Sequence, residues 1–272
     1  HKTNVYPGSS AINYKGDDVN AQAMYDAISK LPTTSQDYVF VYYDNHGGPG
    51  ILGTPGSEFI EAEQLSAAFT TASESNLYKQ CLFLIEACYA GSVAETFTAE
   101  NLATITASNN QESSYAAVYD EEVGTYLSNE FTNNFIALID ENPEITVGEL
   151  YTTLKKETQE SHVTYYGDES IQSVPLSYFI GTPNKVLTNN RVTHAEKATP
   201  RDATEKTLAF YSEHSKASIR ARARLQLLRL KAQTEKLEAV LDLLVKYVDP
   251  KNYEKIMKDT NSKITPEYYQ VL

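Results

Sequence analysis

Cysteine is scarce: the 272-residue chain has two, Cys81 and Cys88. They bracket an apolar run that reads as a strand followed by a turn. A disulfide needs Cα atoms within about 7 Å, whereas six strand steps cover roughly 20 Å. Both thiols are therefore expected to be free. With no CxxC and no clustered histidine, neither a structural zinc site nor a cofactor is expected. No apolar run reaches about 18 residues, so no membrane span or membrane partner is expected. The sequence begins HKTNVYPGSS, without an apolar leader. It has no Asn-x-Ser/Thr sequon, so N-glycosylation is not expected.

Basic residues are also scarce, but unevenly. Residues 1–190 carry 7 Lys+Arg against 25 Asp+Glu, net −18, and residues 191–272 carry 16 against 11, net +5. An acidic body and a basic tail attract each other. Basic residues expected to meet an acidic partner in cis argue against nucleic acid as a partner.

What is present alternates between helix-like and strand-like segments. Asp18–Leu31 has helical spacing, with Asp17 or Asp18 as a cap. Tyr38–Tyr43, Cys81–Ile85 and Leu102–Ala107 are short apolar runs suited to strands buried on both faces. Ile60–Phe69, Phe131–Asp140 and Thr146–Glu157 read as helices, and Val174–Ile180 as a late strand. This pattern predicts an α/β fold, a mostly parallel sheet flanked by helices. The expected division is an α/β body at 1–181, a linker at 182–202, and a helical C-terminal segment at 203–272, ended in its first part by Pro250.

Two of the apolar runs end in chemistry. The first leads into Asp44-Asn45-His46-Gly47-Gly48 and the second into Glu86-Ala87-Cys88-Tyr89-Ala90-Gly91-Ser92. Ligands of open parallel sheets collect outside the carboxyl ends of the strands. An imidazole and a thiol brought there together suit a Cys/His peptidase, the imidazole activating the thiol and then protonating the departing amine. Glycine after His46 lets backbone N–H groups approach the scissile carbonyl, completing an oxyanion hole with the Cys88 amide. Cys81, with no such motif around it, reads as a core residue.

The segments YYDNHGGPGILGTP, LIEACYAGS, TASNNQESSYA, NVYPG…YKGDDV, SHVTYYGD and VTHAEKATPRD closely resemble the legumain family, the asparaginyl endopeptidases or vacuolar processing enzymes. The resemblance covers nearly the whole chain. It implies a caspase-like α/β fold with a helical C-terminal pro-segment, and cleavage after Asn, more weakly after Asp at acid pH. Position by position it makes Cys88 the nucleophile, His46 the base, and the amides of Gly47 and Cys88 the oxyanion hole. It places Glu86, Ser113, Ser114, Tyr115 and Asn129 in substrate binding. A carboxylate such as Glu86 can accept from the amide nitrogen of an Asn side chain. Peptide substrates, cystatin-type inhibitors and a lysosomal, vacuolar or secreted location are further implications.

The sequence departs from the family at Asn45, where an Asp normally precedes the catalytic His, and at Asn129, where the pocket's second acid falls. The family's first strand and helix, with an Arg of the specificity pocket, lie before the point where this chain begins. The C-terminal segment is expected to act in cis as an inhibitor released by acid, with Asn189, Asn190 and Asp202 as self-cleavage candidates. The alternatives to hydrolysis are a ligase or transamidase using the same dyad, and an inactive caspase-like binding module.

Overall fold

The chain's apolar runs do become the centre of a sheet, as the computed structural model shows for residues 14–55, 58–120, 125–142 and 144–181; in the C-terminal part it describes residues 209, 212, 213, 220, 224, 227, 228 and 231. The chain forms two units, His1–Thr207 and Leu208–Leu272.

A short 3-10 turn at Gly16–Asp18 precedes α1 (Ala21–Ser29). Its cap is Asn20, whose side chain accepts from the Ala23 amide at 2.9 Å, and not Asp17 or Asp18. Those two aspartates lie inside the preceding turn, where they cannot reach the free amides of α1. Then come β1 (Tyr38–Asp44), β2 (Gly47–Gly48), β3 (Ile51–Gly53) and β4 (Phe59–Glu61), followed by α2 (Ala62–Glu74) and β5 (Gln80–Glu86). The sequence reading started this second helix two residues early, because Ile60 belongs to a small sheet of order β2-β3-β4. A one-turn helix α3 (Gly91–Ala94) leads to β6 (Leu102–Thr106), and a hairpin of β7 (Ala116–Asp120) and β8 (Thr125–Asn129) follows. The rest is α4 (Glu130–Glu141), α5 (Val147–Glu157), β9 (Thr164–Gly167) and α6 (Ser177–Ile180).

The main sheet has order β1-β5-β6-β9, the first three strands parallel and β9 antiparallel. It is a mainly parallel α/β sheet covered by helices on both faces. Successive side chains of a strand face opposite ways, and the core divides accordingly. Phe83 and Ile85 pack with Phe69 and Leu65 of α2. Leu82, Leu84 and Ile105 pack with Phe131 and Phe135 of α4 and with Leu150 and Leu154 of α5.

Two expectations are corrected. The late strand is Thr164–Gly167, whereas Val174–Ile180 contains the bridge residue Pro175 followed by the short α6, with its cap Leu176 and Phe179 entering the core at helical spacing. The first apolar run is not buried on both faces: β1 is an edge strand of the described sheet, and Tyr42 is 37 % exposed. Central β5 is the strand that meets that description.

In the second unit, the described positions 220, 224, 227, 228 and 231 are helical. Arg224 donates from Nε to the Ser212 carbonyl at 3.0 Å and from Nη2 to Glu213 at 3.2 Å. The proposed linker, with Asn189, Asn190 and Asp202, lies outside the described residues.

Candidate active site

The last paired residues of β1 and β5 are Asp44 and Glu86. Two residues beyond each, in step, come His46 and Cys88. The parallel register thus delivers imidazole and thiol to the same end of the sheet, the carboxyl end. The backbones stay together past the strands: the Asn45 amide donates to the Glu86 carbonyl at 3.3 Å. At Gly47 the approach is so close that a Cβ would fall 2.2 Å from the Cys88 carbonyl oxygen and 2.9 Å from the Ala87 Cβ. Only a residue without a side chain fits.

The His46 loop is anchored from below. The His46 carbonyl accepts from the Gly53 amide at 2.8 Å, and the Tyr43 hydroxyl lies 2.9 Å from the same oxygen and 2.8 Å from the Gly53 carbonyl. His46 itself is exposed and Cys88 is 7 % exposed. Behind the thiol, Tyr89 adopts φ +55°, a left-handed conformation that L-residues seldom take, and its amide is held by the Glu112 carbonyl at 2.7 Å. Strain of this kind, of order 1–3 kcal/mol, persists where surrounding contacts over-determine it.

Ser92, to which sequence reasoning gave no role, ties the two loops together. Its hydroxyl accepts from the Gly50 amide at 2.8 Å and donates to the Tyr89 carbonyl at 2.6 Å. Neither periodicity nor motif spacing distinguishes this serine from any other helix-start residue. Ser92→Ala is expected to cost about 1–3 kcal/mol by leaving the Gly50 amide without its partner, checked by chemical denaturation.

Burial pushes the Cys88 thiol up, while Ser113 and the Ser114 segment pull it back toward the ionised form. The thiol donates toward the Ser114 carbonyl at 3.9 Å. Ser113 and Ser114 therefore lie at the thiol. Tyr115 serves the frame with its carbonyl, which accepts from the Glu130 amide at 2.9 Å and fixes the start of α4. Cys81 is free and fully buried, and burial alone raises its thiol, in keeping with a core role.

Glu86 is 1 % exposed, facing the start of α4. Its Oε2 accepts from the Thr132 amide and hydroxyl, both at 3.1 Å, so it satisfies a free N–H of the first turn of α4. Its Oε1 makes no hydrogen bond of ordinary geometry, although Ser114 is near enough to favour the charged form. Burial dominates and raises this carboxyl to about 7. The α4 cap residue Asn129 makes no capping bond; its Nδ2 donates instead to Asp44 Oδ1 at 2.9 Å.

The raised carboxyl has a stability consequence. The folded state holds the Glu86 proton more tightly than the unfolded chain does, so stability falls as pH rises from about 4.5 through about 7. Some 2.5 pH units correspond to about 3 kcal/mol. Glu86→Gln is expected to remove this loss, gaining on the unsubstituted protein between pH 5 and pH 8 in denaturant titrations. Parallel curves for the two proteins would contradict it.

Among the described residues no group of His, Cys, Asp and Glu is placed to hold a metal ion, and no helix is long and apolar enough to cross a membrane.

Comparison with known proteins places this arrangement. Residues 1–182 match the Peptidase C13 family. Legumain of Mus musculus is 30 % identical over 199 residues, covering 67 % of this chain and 45 % of the relative. Vacuolar-processing enzyme of Citrus sinensis is 29 % identical over 67 % of this chain and 42 % of the relative. GPI-anchor transamidase of Saccharomyces cerevisiae is 25 % identical over 79 % of this chain and 53 % of the relative. The chain thus spans about half the length of the curated relatives it matches. With the match running through both strand ends and the loops beyond them, the chain belongs to the Peptidase C13 family.

Proposed function

We propose that this chain is the body of a cysteine endopeptidase that cleaves after Asn. The observation that carries the reading is the contact of Gly47 with the Cys88 carbonyl, which packs the residue after His46 against the thiol-bearing turn. His46 accepts the Cys88 proton. The thiolate attacks the scissile carbonyl carbon, and the negative charge moves to its oxygen, facing the amides of Gly47 and Cys88. His46 protonates the departing amine, leaving a thioester on Cys88. Water, deprotonated by His46, cleaves the thioester and frees the thiol. Because burial disfavours the free thiolate, the proton transfer to His46 is what makes the nucleophile available.

Glu86, Ser113, Ser114, Tyr115 and Asn129 contribute to substrate binding in this reading. The buried Glu86 Oε1, with no hydrogen bond of ordinary geometry, suits a substrate side chain that can donate to it. The charge division between residues 1–190 and 191–272 supports an inhibitory C-terminal segment in cis that loosens when acid removes carboxylate charge. Self-cleavage after Asn189, Asn190 or Asp202 would make release permanent; mass spectrometry of acid-treated protein checks this, and an intact linker in fully active protein would defeat it. Such a switch suits an acidic lysosomal or vacuolar compartment, or secretion, and cystatin-type inhibitors are the expected class of partner.

The test uses matched peptides with Asn, Asp or Lys at the scissile position, at pH 4.5 and 7. Asn-selective turnover that increases in acid is expected. Equal turnover of the Lys peptide would overturn the specificity, and turnover that falls in acid would overturn the switch. The yeast relative's name supports transamidation as a second reading. Adding hydroxylamine separates the two: a hydroxamate replacing most of the free acid favours acyl transfer to amines.

A further inference from the structure

Asp44 lies beside the buried Glu86 in the strand register and on the same face of the sheet. Strand partners in a parallel pair project their side chains to one side, here toward β8 and the start of α4. Three features mark the pair as more than adjacent surface acids. Glu86 Oε1 is buried and has no hydrogen-bond partner of ordinary geometry, a costly condition for a carboxylate. Asp44, in contrast, reaches the surface. And Asn129, at the cap position of α4, is diverted from capping to hold Asp44 Oδ1 at 2.9 Å.

An Asn at a helix cap normally accepts from the first-turn amides. Here Glu86 Oε2 takes the Thr132 amide, which releases the Asn129 side chain. Asn129 then fixes the orientation of Asp44 and leaves Asp44 Oδ2 and its own Oδ1 able to accept. The result is a cluster of acceptors, one buried and others reachable, two residues upstream of both His46 and Cys88.

We infer that Asp44 is a specificity-determining residue: oriented by Asn129, it accepts a hydrogen bond from the NH2 group of the substrate's Asn side chain, in front of Glu86. The inference deepens the Asn-directed reading and rests on it. A carboxamide presents donor hydrogens to the open oxygens of Asp44 and Glu86, whereas an ionised Asp side chain presents only negative oxygens. Like charges in a partly desolvated site repel, so the charge on Asp44 that helps admit Asn rejects ionised Asp. The carboxyl of Asp44 is itself raised by partial desolvation, and Asn129 opposes this.

The experiment compares kcat/KM on matched Asn and Asp peptides at pH 6 for the unsubstituted protein, Asp44→Asn, Asp44→Ala and Asn129→Ala. Melting temperature and the rate of Cys88 alkylation by iodoacetamide are followed in parallel. Asp44→Asn keeps size and hydrogen-bonding capacity but removes the charge. The Asn-to-Asp preference is expected to fall about tenfold or more in both Asp44 variants, through loss on the Asn peptide and gain on the Asp peptide. Asn129→Ala moves the ratio the same way but less. Melting temperature and alkylation rate stay near those of the unsubstituted protein. A ratio unchanged within twofold in Asp44→Asn, in a protein that does prefer Asn, overturns this inference and leaves the Asn-directed reading standing. An unsubstituted protein that cleaves without preferring Asn overturns both.

Discussion

Cys88→Ala is expected to lower kcat/KM on an Asn peptide by roughly 10³-fold or more, and His46→Ala by a similar factor. The double variant should be little worse than either single one, because the two groups act as a unit and removal of either ends the same step. The thiol supplies the electron pair and the imidazole takes the proton; neither half works alone. The fold should survive Cys88→Ala. The thiol's hydrogen bond to the Ser114 carbonyl is a long one, 3.9 Å. Replacing the nearly buried thiol by a methyl also leaves β5 and its two packed faces intact. Steady-state kinetics with a thermal melt on each variant checks both halves. Loss of activity confined to Cys81→Ala, in the fully buried strand, would reverse the assignment of the two cysteines.

Gly47→Ala is expected to be the most damaging single-atom addition at the site. The new methyl would sit 2.2 Å from the Cys88 carbonyl oxygen, and both of its collision partners belong to the turn that carries the nucleophile. Backbone cannot rotate away as a long side chain can, so the β2 segment or the Ala87–Cys88 segment must shift. A misplacement of about 1 Å at a reacting centre costs on the order of 100-fold. The expected outcome is a loss of that order in kcat/KM with destabilisation of about 1–3 kcal/mol, typical of overpacking. Gly16→Ala is the control: its Cβ would meet nothing within 4 Å, although its φ of +59° carries a conformational cost of its own. A Gly47→Ala protein with full activity would show that the two strand ends do not need this contact.

These expectations depend on parts of the molecule that were legible to different degrees. Gln80–Glu86 and Leu102–Thr106 were plain because central parallel strands must be apolar on both faces, and their composition says so directly. Tyr38–Asp44 was found for the same reason but assigned too deep a burial; an aromatic run looks alike on an edge strand, and exposure depends on neighbours that sequence does not reveal. The β7–β8 hairpin went unseen. Its strands are five residues each, too short for a clear alternation to stand out. The last strand was misplaced because Val174–Ile180 is the more apolar stretch, while Thr164–Gly167 owes its place to pairing with β6. At the candidate site, His46, Gly47 and Cys88 stand out in the sequence because reactive residue types follow apolar runs. Asp44 was not, since only the register sets it against Glu86, and only the structure reveals that Asn129 turns away from its cap to hold it.

The central claim is that Cys88 forms the bond to substrate with His46 moving the proton. The most direct test mixes protein with an Asn-terminated peptide ester, quenches in acid within milliseconds to seconds, and maps the adduct by tandem mass spectrometry. The expected result is a thioester linking the Asn carbonyl to Cys88, formed far more slowly in His46→Ala and absent from Cys81. Turnover without any adduct on Cys88, or an adduct forming equally fast in His46→Ala, would contradict the account.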